Sequence, residues 1–88
     1  MPDVTIYTTP YCPYCIRAKS LLKRKNVAFT EIDVDCDVAE RAAMTQRANG
    51  RRTVPQIFIG PTHVGGCDDL HALESAGKLD QLLAAQKS

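Results

Sequence analysis

Three residues separate the run VTIYT (4–8) from Cys-Pro-Tyr-Cys at 12–15, and this junction constrains the fold more than any other feature of the chain. The β-branched run predicts a short strand. From Pro13 the period changes, with Ile16, Ala18, Leu21 and Leu22 on one helical face through about Lys25. Pro13 suits a first helical turn, because the donor it lacks would have gone unused there. Cys12 therefore stands where a strand hands over to a helix. The unpaired N–H groups and partial positive charge of a helix start favour a thiolate over a thiol. Cys15 lies one turn later, facing the same region and more covered. The spacing makes two unequal sulfurs, an exposed nucleophile and a resolving partner.

The remaining elements follow from local signals. Five bases crowd residues 17–25, and those in the later turns suit the negative end of a helix dipole. Asn26 predicts a left-handed stop. VAFTEIDV (27–34) alternates as a strand, although Glu31 interrupts the segregation of its faces. Asp37 followed by Glu40 resembles a capping box and predicts a helix to Ala48, ended by Asn49-Gly50. QIFI (56–59), GPT (60–62) and HV (63–64) predict a hairpin. A third helix is expected from about Asp68 to Ala76, closed by Gly77, and a short one over LDQLLAAQ (79–86), packed on the sheet. The order β-α-β-α-β-β-α implies an α/β fold with a mixed sheet between helices, one domain over residues 1–88.

Composition bounds the function. A chain of 88 residues buries a modest core, so the site should be a surface groove. Net charge +1 gives a large nucleic-acid footprint no global support. The charge is segregated, however. Five acids follow in 31–40 and four arginines in 41–52, which leaves room for a small anionic ligand. MPDVTIYTTP lacks the basic start and apolar run of a signal peptide, and no apolar stretch reaches the roughly 18 residues that span a membrane. The expected compartment is the cytoplasm, where disulfides seldom persist. Cys12–Cys15 is then not a durable staple, and so short a loop would constrain the unfolded chain only slightly. For thiols in general, lowering the pKa from about 8.5 to about 5 raises the neutral-pH thiolate fraction about 30-fold. A Brønsted slope of about 0.5 takes back roughly 50-fold in nucleophilicity. The gain that survives is leaving-group ability, which serves turnover.

CPYC (12–15), TVPQIFIG (53–60) and GGCDDL (65–70) occur in this order, and together they resemble the glutaredoxin family, in particular its small bacterial dithiol members. The resemblance spans nearly the whole chain. It implies a thioredoxin-like fold with a four-stranded mixed sheet flanked by helices, and thiol–disulfide exchange with glutathione as reducing co-substrate. No bound cofactor or metal is implied. Catalysis falls to Cys12 and Cys15, and glutathione binding to Tyr14, Arg51, Thr53, Val54, Pro55, Gly66, Cys67 and Asp68. By resemblance Pro55 is a cis proline beside the dithiol, presenting the Val54 backbone to an extended peptide as a strand edge would. Read from the residues alone, TVP is an ordinary trans turn before a strand. The GGCDDL glycines open a helix whose N–H groups can bind an anion, while Asp68 or Asp69 can pair with an ammonium. The γ-glutamyl end of glutathione offers both charges. An N-cap followed by a stabilising acid describes the same residues. Family members commonly carry a lysine three residues before the first cysteine, where this chain has Thr9. Arg51 is the substitute cation for the glycyl carboxylate, with Arg47 and Arg52 as alternates. Tyr11 is read as wall and Tyr14 as a shield for Cys15.

The expected partners are glutathione and glutathionylated or disulfide-containing proteins, ribonucleotide reductase among the candidate clients, with the chain acting as a monomer. A thioredoxin-like donor reduced by a flavoprotein is the nearest alternative. Formally Cys12, Cys15, Cys67 and His71 also give a Cys₃His zinc set, with His71 otherwise on an exposed helix face, and a bridging iron–sulfur cluster is known in the family. Cys36, in an acidic stretch that disfavours a thiolate, is read as a bystander. His63 is assigned no catalytic duty.

Overall fold

The computed structural model describes residues 4–85. β1 (Val4–Thr8) lies inside a four-stranded sheet of order β2-β1-β3-β4, parallel to β2 (Thr30–Asp33) and antiparallel to β3 (Gln56–Ile59). β3 turns through Gly60-Pro61 into the antiparallel β4 (Thr62–Gly65). α1 (Pro13–Arg24) makes the crossover that parallel neighbours require. α2 (Val38–Arg47) links β2 to β3, and α3 (Cys67–Ser75) and α4 (Leu79–Ala85) follow β4.

Because neighbouring strand residues face opposite ways, the sheet carries two apolar layers. Val4, Ile6, Ile57 and Ile59 face Ala18, Leu21 and Leu22 of α1, Leu70 of α3 and Leu79 of α4. Tyr7 and Phe58 face Val34, Met44 and Ala48. Each fully buried Leu or Ile contributes about 1.5–3 kcal/mol, so Leu21 and Leu22 suffice to seat α1 with its N-terminus at the end of β1. The mixed sheet between helices is the expected one.

The boundaries of three elements differ from expectation. β2 is shorter than 27–34, because the backbone of Val27 is already engaged. Its N–H bonds Leu22 O at 3.0 Å while that of Asn26 bonds Lys23 O at 3.0 Å, with Asn26 at φ 57°. This Schellman closure of α1 withholds Val27 from the ladder. The same closure ends α2 at Asn49-Gly50 and α3 at Gly77-Lys78, as the sequence predicts. Ile16 leaves the apolar face and is 58% exposed; the buried stripe of α1 is Cys15, Ala18, Leu21 and Leu22. β4 starts at Thr62, leaving two turn residues, and α3 starts at Cys67 with Gly66 as N-cap. Gln86 lies outside the described residues; α4 packs through Leu79, Leu82 and Leu83. Glu31 has its own explanation. Its Oε2 accepts from Thr8 Oγ1 at 2.7 Å and Lys19 Nζ at 2.9 Å, tying the sheet edge to α1.

Candidate active site

Cys12 is the N-cap of α1, with extended backbone at φ −94° and ψ 113°. Its Sγ accepts from the Cys15 N–H at 3.4 Å and donates, as a thiol, to Val54 O at 3.7 Å. A sulfur thus takes the place of the hydroxyl or carboxylate that usually satisfies a helix's first N–H groups. Cys12 is half-buried and Cys15 is 1% exposed; both are free thiols. Burial pushes the Cys15 thiol up to about 12; a hydrogen bond with the Thr9 backbone works against it and the adjacent Cys12 sulfur adds to it. The two sulfurs are unequal as the spacing predicts, one presented to solvent and one held protonated beneath it.

All eight residues expected to bind glutathione, Tyr14, Arg51, Thr53, Val54, Pro55, Gly66, Cys67 and Asp68, line one cavity of about 320 Å³ together with Asp69. Three elements supply them: the first turn of α1, the segment before β3, and the β4–α3 junction. The Val54–Pro55 peptide is cis. Cys12 stands at the Val54 edge of this cavity through the 3.7 Å contact.

The two acids at the start of α3 differ in use. Asp69 Oδ2 accepts from the Gly66 N–H at 2.9 Å and from Arg51 Nη1 at 3.3 Å. The Gly66 N–H, and less strongly Arg51, hold its carboxyl below the usual carboxylate range against the opposing effect of burial. Asp68 is exposed and lines the cavity. Cys67 is buried at the start of α3, and burial raises its thiol.

Among the three arginines considered, Arg51 lines the cavity. Arg47 is committed elsewhere: its guanidinium lies 4.1 Å from the centroid of the Phe58 ring and donates to Tyr7 Oη at 3.0 Å. Arg52 is exposed, with its carbonyl accepting from Arg41 Nη1 at 3.4 Å. Tyr11 is 90% exposed and is not a wall of the cavity, which corrects the sequence reading; Tyr14 is. His71 is not on an open helix face, since its Nε2 is buried without a partner. The Cys₃His set is not assembled: among the described residues, no group of three His, Cys, Asp or Glu side chains stands in metal-holding geometry. Cys36 is exposed, 3.7 Å from Asp35 Oδ2, and does not line the cavity. No helix of the described residues is long and apolar enough to cross a membrane.

Gln56 escaped the sequence reading. It is fully buried, and its Nε2 donates to Thr53 O at 2.9 Å and Thr53 Oγ1 at 3.1 Å. Its Oε1 lies 2.7 Å from His63 Nε2. With the amide so oriented, the imidazole proton is on Nε2. The available signal was a polar amide opening an otherwise apolar strand directly after Pro55.

The family model described as Glutaredoxin matches residues 4–64. A glutaredoxin of Pseudomonas aeruginosa is 66% identical over 85 residues, 97% of this chain and 100% of the relative. The solution structure of a glutaredoxin from Brucella melitensis superposes with a TM-score of 0.85 at 60% identity, covering 100% of this chain and 95% of that one. A crystal structure of a buckwheat glutaredoxin–glutathione complex gives 0.85 at 34% identity, covering 96% and 78%.

Proposed function

Because the chain belongs to the glutaredoxin family and so is a thiol–disulfide oxidoreductase, we propose that glutathione is its reductant and that Cys12 alone removes glutathione from proteins. The convergence of eight candidate contacts on one cavity beside Cys12 carries this reading. The buckwheat relative supports it, since it binds glutathione on the same fold. In the proposed pose the cysteinyl unit runs along Val54 as a strand edge would. The γ-glutamyl carboxylate and ammonium meet the α3 N-terminus and Asp68, and the glycyl carboxylate meets Arg51.

The Cys12 thiolate attacks the glutathione sulfur of the mixed disulfide. The Cys12–glutathione bond forms, the protein–glutathione bond breaks, and the protein thiolate leaves and takes a proton from solvent. A second glutathione thiolate attacks the bound glutathione sulfur, giving glutathione disulfide and free Cys12. With a protein disulfide, Cys12 forms the mixed disulfide. Cys15, losing its proton as it attacks, displaces the protein and closes Cys12–Cys15, which two glutathiones then reduce. The proposed clients are glutathionylated and disulfide-bonded proteins, ribonucleotide reductase among them, met by a monomer in the cytoplasm.

A coupled assay tests this directly. Activity is expected with glutathione and glutathione reductase, and not with thioredoxin reductase in their place; the reverse would establish the flavoprotein-reduced alternative. Cys12→Ser should abolish both reactions, whereas Cys15→Ser should keep deglutathionylation and lose dithiol reduction. Full activity without Cys12 would refute the assignment.

A further inference from the structure

Cys12 lies between two features of opposite character. Tyr14, on one side of α1, lines the cavity described above. Ile16, two residues on and so more than half a turn around the helix, opens a second groove of about 440 Å³ with Lys19, Ser20, Lys23 and Arg24. The Ile16 N–H bonds Cys12 O at 3.2 Å, which sets Ile16 one turn above the nucleophile. Cys12, Ile16, Lys19 and Lys23 follow at spacings of four, three and four, one stripe flanking the buried face of α1. Its head is an exposed isoleucine and its tail is cationic. Lys19 is neutralised by Glu31 at 2.9 Å. Lys23 and Arg24 make no ion pair among the described residues, and α1 carries no acid in its first turn.

The proposed reaction needs somewhere for the rest of the substrate. When glutathione occupies its cavity, the protein half of the mixed disulfide extends outward from the glutathione sulfur beside Cys12, and the groove that Ile16 opens one turn along α1 is open to receive it. We propose that the α1 groove docks the client polypeptide, and that the segment it takes has an apolar residue beside the reactive cysteine and carboxylates farther along. The spacing is set by geometry. Lys23 lies eleven residues from Cys12, about 16 Å along a helix, which an extended segment covers in about five residues. This rests on the glutathione reading, and the two fail separately.

The test uses synthetic peptides with one S-glutathionylated cysteine flanked by Leu, and Asp or Lys at the fourth and fifth positions on either side. The wild-type chain should process the Asp peptide with a kcat/KM at least about tenfold above the Lys peptide at low ionic strength, and added salt should erase the difference. The charge reversal K23E/R24E should invert the preference while leaving turnover of a small mixed disulfide of glutathione and 2-mercaptoethanol unchanged. K23Q/R24Q, which spares the helix terminus a repulsive charge, should abolish the preference and decides the matter if the reversed variant is unfolded. Equal rates on the two peptides, or a preference untouched by K23Q/R24Q, would overturn the docking surface. Failure of the small mixed disulfide with wild-type protein would instead overturn the glutathione reading.

Discussion

A glutamine with no solvent contact supports the candidate ligand segment from beneath. Gln56 has both ends of its amide engaged, with Thr53 through nitrogen and His63 through oxygen. His63 fits this role as a neutral donor: burial, then the nearby Arg51 and Arg47, lower its pKa, while Asp69 opposes them. Since Thr53 Oγ1 accepts from Gln56, its own hydrogen is available toward the cavity. Gln56→Leu keeps the volume and removes the partner of the half-buried His63 N–H and of the exposed Thr53 carbonyl, each lost hydrogen bond costing about 0.5–1.5 kcal/mol. We expect lower thermal stability together with a several-fold higher KM for glutathionylated substrate. Stability loss with an unchanged KM would show that Thr53 is held by its neighbours rather than by Gln56. Arg51 is a different case. Its pair with Asp69 is half-exposed on both sides, and such pairs contribute about 0–1 kcal/mol, so the guanidinium can swing to an incoming carboxylate at little cost. Arg51→Ala should raise the same KM about tenfold, roughly 1.4 kcal/mol, with little change in melting temperature; an unchanged KM would remove Arg51 from the ligand contacts.

The junction of β4 and α3 shows how elements, rather than single side chains, build one end of the cavity. One extra residue in β4, between the partners of Ile57 and Phe58, displaces the strand as it ends. The chain then passes through Gly65 at φ +117°. A Cβ there would meet the Asp69 carboxylate and the Arg51 guanidinium. Gly65→Ala therefore strains the backbone by about 1–3 kcal/mol and drives Asp69 off the Gly66 N–H. The expected result is a melting temperature lower by several degrees and a raised KM, measured in one preparation; a native-like variant would mean that the helix start tolerates the shift. Legibility from sequence divides along the same line. The eight residues that line the cavity with Asp69 were named through resemblance to a family whose motifs occur here in order, whereas the helix stops at Asn26, Asn49-Gly50 and Gly77 and the N-cap at Asp37 were readable, because turn chemistry is local. The shortened β2 was not, since alternation at 27–29 reports burial in the first core layer and cannot tell that Val27 has given its N–H to a helix end. Ile16 misled for the converse reason: it is apolar and helical, yet it points away from the layer that Leu21 and Leu22 occupy. Gln56 lacked a periodic signal, since its partners come together only when β3 and β4 pair.

At the scale of the molecule, the thiols couple the reaction to the stability of the fold. Cys15 and Cys67 are packed into the protein, and burial raises both thiols. A thiol in the unfolded chain ionises near pH 8.5, while Cys15 in the folded protein waits until about 12. Between these values the folded state binds more protons than the unfolded state, so stability must fall as pH rises. The contribution of Cys15 is intact below about pH 8.5 and is lost on approach to pH 12, a change of about 5 kcal/mol at 1.36 kcal/mol per unit. Denaturant unfolding of the reduced protein between pH 8 and pH 11 should show this decline, with Cys67 acting in the same direction. Cys15→Ala should flatten the part due to Cys15, leaving that of Cys67. Alkylation should agree: at pH 8 iodoacetamide should modify the exposed Cys36 and the half-buried Cys12 before Cys15 or Cys67. Equal alkaline slopes in wild type and Cys15→Ala would mean that Cys15 ionises as freely in the fold as in the open chain. That result would also remove the reason for assigning Cys15 the second, resolving step. In the proposed reaction, the burial that delays its ionisation is what leaves Cys12 to meet the substrate first.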